Sequence, residues 1–309
     1  MFRFIDLFCG IGGFRVALEV RGHQCVFSSE IDHHAKEAYK SNFGEYPAGD
    51  ITQIDAADIP AHDVLCAGLP CQSFSISGKQ GGVKDPRGRL FFEVLRIAEY
   101  HQPKVLLLEN VKNILSIDSG DVMRMIRYEL NRIGYIVHTI PLNASKFGVP
   151  QARERIYFVA LRKDLVLSFI RPKGTFEPIY LESVLETEVD DGFILRRNDI
   201  QLTKADSVLS YELSPIQIGT VGKDRQGYRI YSTKGHAVTQ TAKGGGVGAR
   251  TGLYLTPQGV RRLTIAECKR VMGFPETHIV SDGAQGYQQL GNAVIPHMIG
   301  VVFDGIVGL

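Results

Sequence analysis

Short apolar runs alternate with amphipathic stretches along the first half of the chain. Runs such as "FRFIDLF" at 2–8 and "VLLLEN" at 105–110 have the length and composition of buried strands. Stretches such as "HHAKEAYKSNF" at 33–43 and "RLFFEVLRIAEYH" at 89–101 carry apolar residues at helical spacing. Strands and helices in alternation form βαβ units, which build a mostly parallel sheet. The pattern therefore predicts an α/β fold with a doubly wound, mostly parallel sheet.

The pattern changes near residue 177. The residues that follow are polar with few helical periods, and they include a glycine-rich run at 241–252. The tail at 287–309 is again apolar enough to rejoin the core of the first domain. We therefore predict a larger domain of residues 1–176 plus 284–309 and a smaller domain of residues 177–283.

The composition narrows the class of protein. The chain has 309 residues, of which 44% are hydrophobic and 22% charged, proportions typical of a globular protein. Its apolar runs are far shorter than the ~20 residues of a membrane span, and Asp6 and several glycines interrupt the N-terminal run, unlike a signal peptide. The cysteines are widely spaced and form neither a CxxC pair nor a metal-ligand cluster. We therefore expect a cytoplasmic protein with reduced thiols, no membrane segment and no metal.

Charge is unevenly distributed along the chain. The net charge is only +2, but residues 219–262 hold eight Lys and Arg residues against a single acidic residue, Asp224. That segment carries +7 and the remainder −5, an asymmetry typical of a surface that binds a polyanion. On charge alone, a solvated surface balanced by acidic residues elsewhere in the fold explains the pattern equally well.

Three loops at the ends of predicted strands have the chemistry of a nucleotide-like cofactor site. "DLFCGIGGF" at 6–14 places glycines where a strand turns into a helix, Glu30 ends the next strand, and Asp50 follows in "GDIT". An acidic residue at such a strand end can accept hydrogen bonds from ribose hydroxyls. The glycines at 10, 12 and 13 do not match the G-x-G-x-x-G spacing of dinucleotide sites. The spacing therefore favours S-adenosyl-L-methionine over NAD, although a plain tight turn also explains the glycines.

A candidate nucleophile and its partners are predicted at the same edge of the sheet. Cys71 follows the strand "DVLCAG" in "GLPCQSFS", and a thiol acts as a nucleophile where positive charge favours its thiolate. Glu109 ends the strand "VLLLEN", where it either faces the reacting centre or pairs with a lysine such as Lys112. In "QARERIYFVA", period-2 spacing places Gln151, Arg153 and Arg155 on one face, either to hold a base and a backbone or as charges at the edge of a surface strand. Together these residues form a candidate active site.

The order of the motifs is the strongest signal in the chain. "DLFCGIGGF", "GDIT", "GLPCQSFS", "ENVKN", "QARERIYFVA", "RRLTIAECKRVMGFP" and "QLGNAVIP" resemble, in this order, the motifs of bacterial DNA (cytosine-5)-methyltransferases. The resemblance implies a Rossmann-like, class I S-adenosylmethionine-dependent methyltransferase fold, with residues 177–283 as a target-recognition domain. It also implies double-stranded DNA as the substrate and S-adenosyl-L-methionine as the methyl donor.

The resemblance gives the motif residues their expected roles. Cys71 would attack C6 of a flipped-out cytosine, Glu109 would contact N3 and the exocyclic amine, and Arg155 would bind O2. Arg153 would help to order the loop that carries Arg155. The cofactor site would be formed by Phe8, Gly10, Gly12, Glu30, Asp50, Ile51, Pro70, Asn292 and Val294.

Sequence choice is expected in the basic segment. This segment resembles the recognition region of a family member that reads GCGC, so Gln226 would fill the gap left by the flipped base and Arg229 would pair with guanine O6 and N7. Further DNA contacts are expected from Ser77, Arg87 and Thr239. The predicted recognition site therefore has a GCGC core.

Two other functions remain open from the sequence. A tRNA cytosine-5 methyltransferase has the same fold, although the long basic segment favours DNA. A catalytically silent DNA-binding paralogue is disfavoured because Cys71 and Glu109 are both present. We expect a monomer, because one flipped base needs one active site and no heptad pattern predicts a dimer. A cognate restriction endonuclease, acting separately, is the expected partner if the chain belongs to a restriction-modification system.

Overall fold

The computed structural model divides the chain into two compact units. It describes residues 1–69, 89–174, 177–203, 210–242 and 244–309. The first unit comprises Met1–Leu142, Glu154–Pro172 and Pro296–Leu309, and the second comprises Asn143–Arg153 and Lys173–Ile295. These units are defined by packing alone, so the catalytic domain at 1–176 plus 284–309 and the target-recognition domain at 177–283 stay a prediction.

The secondary structure of the described residues alternates strands and helices in the first half of the chain. The helices are α1 (Gly13–Glu19), α2 (His33–Phe43), α3 (Arg89–His101), α4 (Asp121–Arg132), α5 (Ile265–Met272), α6 (Gly283–Asn292) and α7 (Pro296–Phe303). The strands are β1 (Arg3–Leu7), β2 (Gln24–Ser29), β3 (Val64–Gly68), β4 (Val105–Val111), β5 (Tyr135–Asn143), β6 (Gln151–Ala152), β7 (Glu154–Arg162), β8 (Ser168–Phe169), β9 (Ile200–Leu202), β10 (Gln217–Val221), β11 (Arg229–Ser232), β12 (Ala237–Val238), β13 (Leu253–Thr256), β14 (Gly259–Arg261) and β15 (Ile306–Val307).

A six-stranded sheet forms the core of the first unit. Its strand order is β2-β1-β3-β4-β7-β5, in which β1 to β4 run parallel and β7 runs antiparallel to β4. The apolar run Val105–Leu108 of β4 is completely buried, as expected of a parallel strand that is covered on both faces. The predicted α/β class with a mostly parallel sheet is confirmed.

The chain returns to the first unit at its end. Helix α7 packs against α1, and the Arg21 guanidinium donates to both carboxylate oxygens of Asp304, each at 2.8 Å. Gly300 makes room for this contact, because a Cβ there would lie 2.2 Å from an Arg21 nitrogen. From α7 onward the apolar tail belongs to the first unit, whereas α6 belongs to the second.

The second unit is built around a five-stranded sheet of order β14-β13-β11-β10-β9. Within this sheet β10 runs antiparallel to β9 and β11, and β11 runs parallel to β13. A separate pairing joins β6 and β12 in parallel. The strands are short, which explains why the polar sequence between 177 and 283 gives so weak a periodic signal. A small apolar core supports the sheet, and it consists of Ile218, Val221, Ile230, Leu253 and Val260.

A buried ion pair joins β14 to α5 in the second unit. The Arg261 guanidinium donates to both carboxylate oxygens of Glu267, at 2.7 and 2.6 Å, and both side chains are fully buried. Glu267 also accepts the backbone N–H groups of Thr264, which caps α5, and of Glu186, each at 2.8 Å. These hydrogen bonds compensate for the loss of water around the two charges.

Removing one member of this pair is expected to destabilise the protein. Glu267→Ala leaves the Arg261 guanidinium buried without its counter-charge, which lowers the free energy of unfolding by about 3–5 kcal/mol. The double variant Arg261→Met/Glu267→Leu removes both charges and is expected to lose less than the single variant. Urea unfolding compares the three proteins. An equal loss in the single and double variants would show that the stranded charge is not the cause.

His62 is a buried neutral imidazole in the loop before β3. Its side chain is 9% exposed, and Nδ1 lies 2.8 Å from the Pro60 carbonyl oxygen. A carbonyl only accepts, so the proton is assigned to Nδ1, and no described residue hydrogen-bonds to the buried Nε2. Burial lowers the pKa of His62 from 6.5 to about 4.

His62 is therefore expected to make stability fall in acid. The folded protein keeps it neutral down to about pH 4, whereas the unfolded chain protonates it below about pH 6.5. The stability that the neutral His62 contributes is fully present above about pH 6.5 and is lost as the pH falls towards about 4. The free energy of unfolding is lower by about 2 kcal/mol at about pH 5 for this reason. In urea unfolding at about pH 7.5 and pH 5, His62→Leu should lose less stability than the wild type by this amount. Parallel losses in the two proteins would contradict the assignment.

Candidate active site

The turn from β1 into α1 has a backbone that residues other than glycine rarely adopt. Phe8, Gly10 and Gly12 have φ angles of 57°, 53° and 87°. A Cβ at Gly12 would lie 2.3 Å from the Phe43 ring of α2, whereas a Cβ at Gly10 would meet nothing within 4 Å. Phe8 holds a left-handed conformation that costs a non-glycine residue of order 1 kcal/mol and that is found most often at functional sites. The turn is closed towards α2 and open at Gly10, where a ligand can approach the backbone.

Glu30 ties this turn to the end of β2. One carboxylate oxygen accepts the Gly10 N–H at 2.9 Å, and the other accepts the N–H groups of Ile31 and Asp32 at 2.8 and 2.9 Å. A carboxylate offers about four acceptor positions, so one remains for a ligand hydroxyl. Glu30 thus shapes the glycine-rich turn as well as facing the predicted cofactor site, and the sequence indicated only the second role.

The third predicted loop lies beside the second. The Glu30 N–H donates to the Ala48 carbonyl at 2.9 Å, which brings the chain before Asp50 against the end of β2. Asp50 is exposed, and its Oδ1 accepts the backbone N–H and the hydroxyl of Thr52 at 3.0 and 2.8 Å. The Ile51 side chain is 3% exposed and belongs to the hydrophobic core, so only its backbone can face a ligand.

Glu109 and Arg155 meet where β7 runs back along β4. Val111 is paired with Arg155 in this antiparallel register, and Arg155 Nε lies 3.0 Å from Glu109 Oε1. The two side chains are only 13% and 10% exposed. Lys112, the alternative partner of Glu109 in the sequence, instead forms an exposed pair with Glu154 at 2.8 Å. The structure therefore places a nearly buried carboxylate–guanidinium pair at the carboxyl end of β4.

Hydrogen bonds connect Leu69, which follows β3, to Glu109 and its neighbour Asn110. The Leu69 N–H donates to the Glu109 carbonyl at 3.2 Å, and the Asn110 side-chain amide donates to the Leu69 carbonyl at 3.3 Å. Asn110 is 1% exposed, and its place in "ENVKN" is the signal by which the sequence could have singled it out. The predicted site residues Pro70, Cys71, Ser77 and Arg87 lie outside the described residues.

The four described cysteines are poor nucleophiles. Burial raises the pKa of the thiols of Cys9, Cys66 and Cys268 well above the ordinary range, and it raises the pKa of Cys25 to about 12. None of these four forms a disulfide. In the described part of the chain, no three His, Cys, Asp or Glu side chains gather as metal ligands, and no helix is long and apolar enough to cross a bilayer.

Arg153 lies between β6 and β7 and does not share a strand face with Arg155. Its guanidinium is buried and donates to the carbonyl oxygens of Gln240, Gly291 and Ala293 at 3.1, 3.2 and 2.8 Å. The prediction that both arginines lie on one face is wrong, because the period-2 argument assumes an unbroken strand and the strand breaks at Arg153. Arg153 acts on the backbone of the second unit.

The same buried region holds further predicted residues. Thr239 donates its hydroxyl to the Ala152 carbonyl at 2.5 Å, and the next N–H, of Gln240, donates to the Gln151 side chain at 2.9 Å. The carbonyls that Arg153 binds flank Asn292, which is exposed, and precede Val294, which is buried. The sequence did not single out Gln240, which stands in no recognised motif.

The predicted recognition residues Gln226 and Arg229 share one hairpin, formed by β10 and β11. Residues 222–226 at its tip are all exposed, including Gln226. Arg229 begins β11, and its Nε donates to Asp224 Oδ1 at 3.0 Å. The tip is tied to the glycine-rich run because the Gly248 N–H donates to the Gly227 carbonyl at 2.8 Å. Thr239 lies outside this hairpin.

Solved structures share this fold. A Dnmt2 methyltransferase of S. pombe matches with a TM-score of 0.73 and 19% identity, covering 98% of this chain and 97% of the other. A putative DNA modification methyltransferase encoded within an E. coli prophage matches with a TM-score of 0.73 and 19% identity, covering 99% and 98%. The class I methyltransferase fold expected from the motifs is therefore confirmed.

Sequence relatives extend the similarity from fold to family. The family model described as C-5 cytosine-specific DNA methylase matches residues 2–308. The Type II methyltransferase M.HhaI of Haemophilus parahaemolyticus is 45% identical over 96% of this chain and 91% of its own length. The Type II methyltransferase M.HpaII of Haemophilus parainfluenzae is 40% identical over 95% and 86%. The chain thus belongs to the C-5 cytosine-specific DNA methylases, and it is a DNA (cytosine-5)-methyltransferase that uses a methyl donor and acts on DNA.

Proposed function

We propose that the chain transfers a methyl group from S-adenosyl-L-methionine to C5 of a flipped-out cytosine in double-stranded DNA, through a covalent adduct with Cys71. The observation that carries this proposal is the nearly buried Glu109–Arg155 pair. A carboxylate beside a guanidinium offers acceptors and donors to the edge of a single base. A base stacked in a duplex cannot reach such a pair, so the target leaves the helix at a cost of roughly a few kcal/mol.

The first unit offers groups that suit S-adenosyl-L-methionine. The open side of Gly10 leaves room for a ligand against the backbone, and Glu30 keeps acceptor capacity for ribose hydroxyls. Both hydrogen bonds of Asp50 go to Oδ1, which leaves Oδ2 for the adenine. When bound, the cofactor supplies a methyl group on a positively charged sulfur. We propose that Phe8, Gly12 and the Ile51 backbone complete this surface, with Pro70, Asn292 and Val294 as further contacts.

The thiolate of Cys71 makes C5 reactive in this proposal. It forms a bond to C6, and the electron pair of the C5–C6 double bond moves onto C5. C5 would then form a bond to the methyl carbon, while the bond from that carbon to the donor sulfur breaks and its electron pair stays on the sulfur as an uncharged thioether. The C5 proton passes to water, the bond from Cys71 to C6 breaks, and the double bond and the thiolate are restored. The raised pKa values of the four described cysteines support Cys71 as the nucleophile, because attack requires a thiolate.

Glu109 and Arg155 stabilise the charge that develops on the ring. Glu109 accepts a hydrogen bond from the exocyclic amine and contacts N3 through a proton that the two share, and Arg155 donates to O2, so both act where electron density accumulates when the thiolate adds. Arg155 Nε holds Glu109 and Nη1 donates to the Glu154 carbonyl, which leaves Nη2 for the base. In this proposal Arg153, two residues before Arg155, helps to order the loop that carries Arg155.

The basic segment selects the site. We propose a GCGC core, read by Gln226 in the gap left by the cytosine and by Arg229 at a guanine, with contacts from Thr239, Ser77 and Arg87. The similarity to M.HhaI supports this assignment. The relatives are named Type II methyltransferases, which supports a role in restriction-modification beside a separately acting endonuclease. We further propose that the protein acts as a monomer in the cytoplasm.

Base-resolution 5-methylcytosine sequencing of plasmid DNA from expressing cells tests the activity. The wild type is expected to mark one cytosine within GCGC, and Cys71→Ser is expected to leave no mark because its hydroxyl is a far weaker nucleophile. Cys25→Ser is the matched control and should keep the mark. A mark in another motif would contradict the GCGC core, retention by Cys71→Ser would contradict the covalent step, and no mark from the wild type would contradict the proposal as a whole.

Single-turnover methylation of a duplex tests the Glu109–Arg155 pair. Arg155→Ala and Glu109→Gln are expected to slow methyl transfer by roughly 10²–10³-fold, the effect of removing one group that stabilises transition-state charge. The affinity for DNA should change little, because contacts with the DNA phosphates contribute most of it. Lys112→Ala opens the exposed neighbouring pair with Glu154 and serves as the control. A normal rate in Arg155→Ala, or an equal loss in Lys112→Ala, would remove the pair from the reaction.

A further inference from the structure

Asp224 stands alone as an acidic residue in the basic segment 219–262, on the hairpin that carries Gln226 and Arg229. We infer that Asp224 determines specificity: its carboxylate accepts a hydrogen bond from the N4 amine of the cytosine paired with the guanine that Arg229 reads. The inference rests on the proposed function and extends it, because the hairpin then reads both bases of one pair.

Both members of the ion pair between Asp224 and Arg229 keep hydrogen-bonding atoms that their contacts within the hairpin do not use. Arg229 Nε donates to Asp224 Oδ1 at 3.0 Å, and Gln217 Nε2 donates to the same oxygen at 3.4 Å. No described residue donates to Oδ2. The Arg229 guanidinium has five N–H donors in all, so it keeps donors for a base. The Asp224 side chain is 67% exposed and that of Arg229 is 39% exposed.

A neighbouring pair in the same unit shows the contrast. Arg197 donates through Nε and Nη2 to both oxygens of Asp199, at 2.8 and 2.7 Å, so that each oxygen of this carboxylate is held by the arginine. Asp224 instead gives one oxygen to Arg229 and presents the other at the exposed hairpin tip. Such an arrangement orients the arginine and leaves an acceptor beside it.

A free carboxylate oxygen at a DNA-binding surface has few favourable partners. Phosphates repel it, and guanine and thymine present acceptors in the major groove, whereas cytosine N4 and adenine N6 are amine donors. The proposed GCGC core contains no adenine, which leaves the cytosine amine. Hydrogen bonds from Arg229 and Gln217 lower the pKa of Asp224, so the group is ionised and only accepts. Because Arg229 pairs with a guanine, the donor within reach of its partner carboxylate is the amine of the cytosine opposite.

Methylation of duplexes that differ by one functional group tests the inference. In one duplex, 2-pyrimidinone, which lacks the N4 amine, replaces the cytosine opposite the guanine, and the guanine is unchanged. Wild-type kcat/KM should fall by about tenfold or more on this duplex, as for the loss of one base contact. Asp224→Ala should have a lower kcat/KM than the wild type on normal DNA, and its kcat/KM should not change when the amine is missing. Asp224→Asn should lose less activity than the wild type when this pair is changed to T·A, because its amide donates to thymine O4 while both proteins lose the guanine that Arg229 reads.

Controls separate this inference from the proposed function. Asp191→Ala opens another exposed ion pair of the second unit, with Arg196, and should discriminate like the wild type. Unchanged melting temperatures of the Asp224 variants would establish that they fold. A wild type that methylates normal DNA but ignores the missing amine overturns the role of Asp224 alone. A wild type that methylates no duplex overturns the proposed function and this inference together.

Discussion

The candidate active site depends on the antiparallel pairing of β7 with β4. In an all-parallel sheet the first residues of a strand lie at the amino edge, far from the carboxyl ends that carry Glu109 and the chain towards Cys71. Because β7 runs antiparallel to β4, its first residues, including Arg155, lie at the carboxyl edge of the sheet instead. The reversal brings a guanidinium to Glu109 without any loop insertion, and the buried Val105–Leu108 run holds both strands in register.

In the second unit, hydrogen bonds among buried polar groups stabilise the fold together with a small apolar core. Arg153 binds three backbone carbonyls, and Gln151 binds the Gln240 N–H on one side and the Val271 carbonyl on the other. Gly291 allows close packing at this point, since a Cβ there would lie 2.3 Å from the Thr241 backbone. Directional hydrogen bonds of this kind hold short, irregular segments in one arrangement, which a small apolar cluster cannot do alone.

Local patterns in the sequence were sufficient for the fold class and for the turn at Gly10 and Gly12, because strand composition and glycine spacing act over a few residues. They were insufficient where a distant partner decides the outcome. The break at Arg153 depends on carbonyls more than eighty residues away in sequence, such as that of Gln240. Likewise, nothing local distinguishes Ile51 as a core residue.

The hairpin of β10 and β11 combines buried strands with an exposed tip. Its strands contribute Ile218, Val221 and Ile230 to the core, whereas the five consecutive residues 222–226 are exposed. Gly222 is constrained by a φ angle of 68° and by Asp199, which would lie 2.8 Å from a Cβ at this position. Residues 223–226 contribute no side chain to the apolar core, so substitutions there leave its packing intact. Under the proposed recognition role of this hairpin, a library randomised over the codons for residues 223–226 would sample new target sequences while the catalytic residues stay constant.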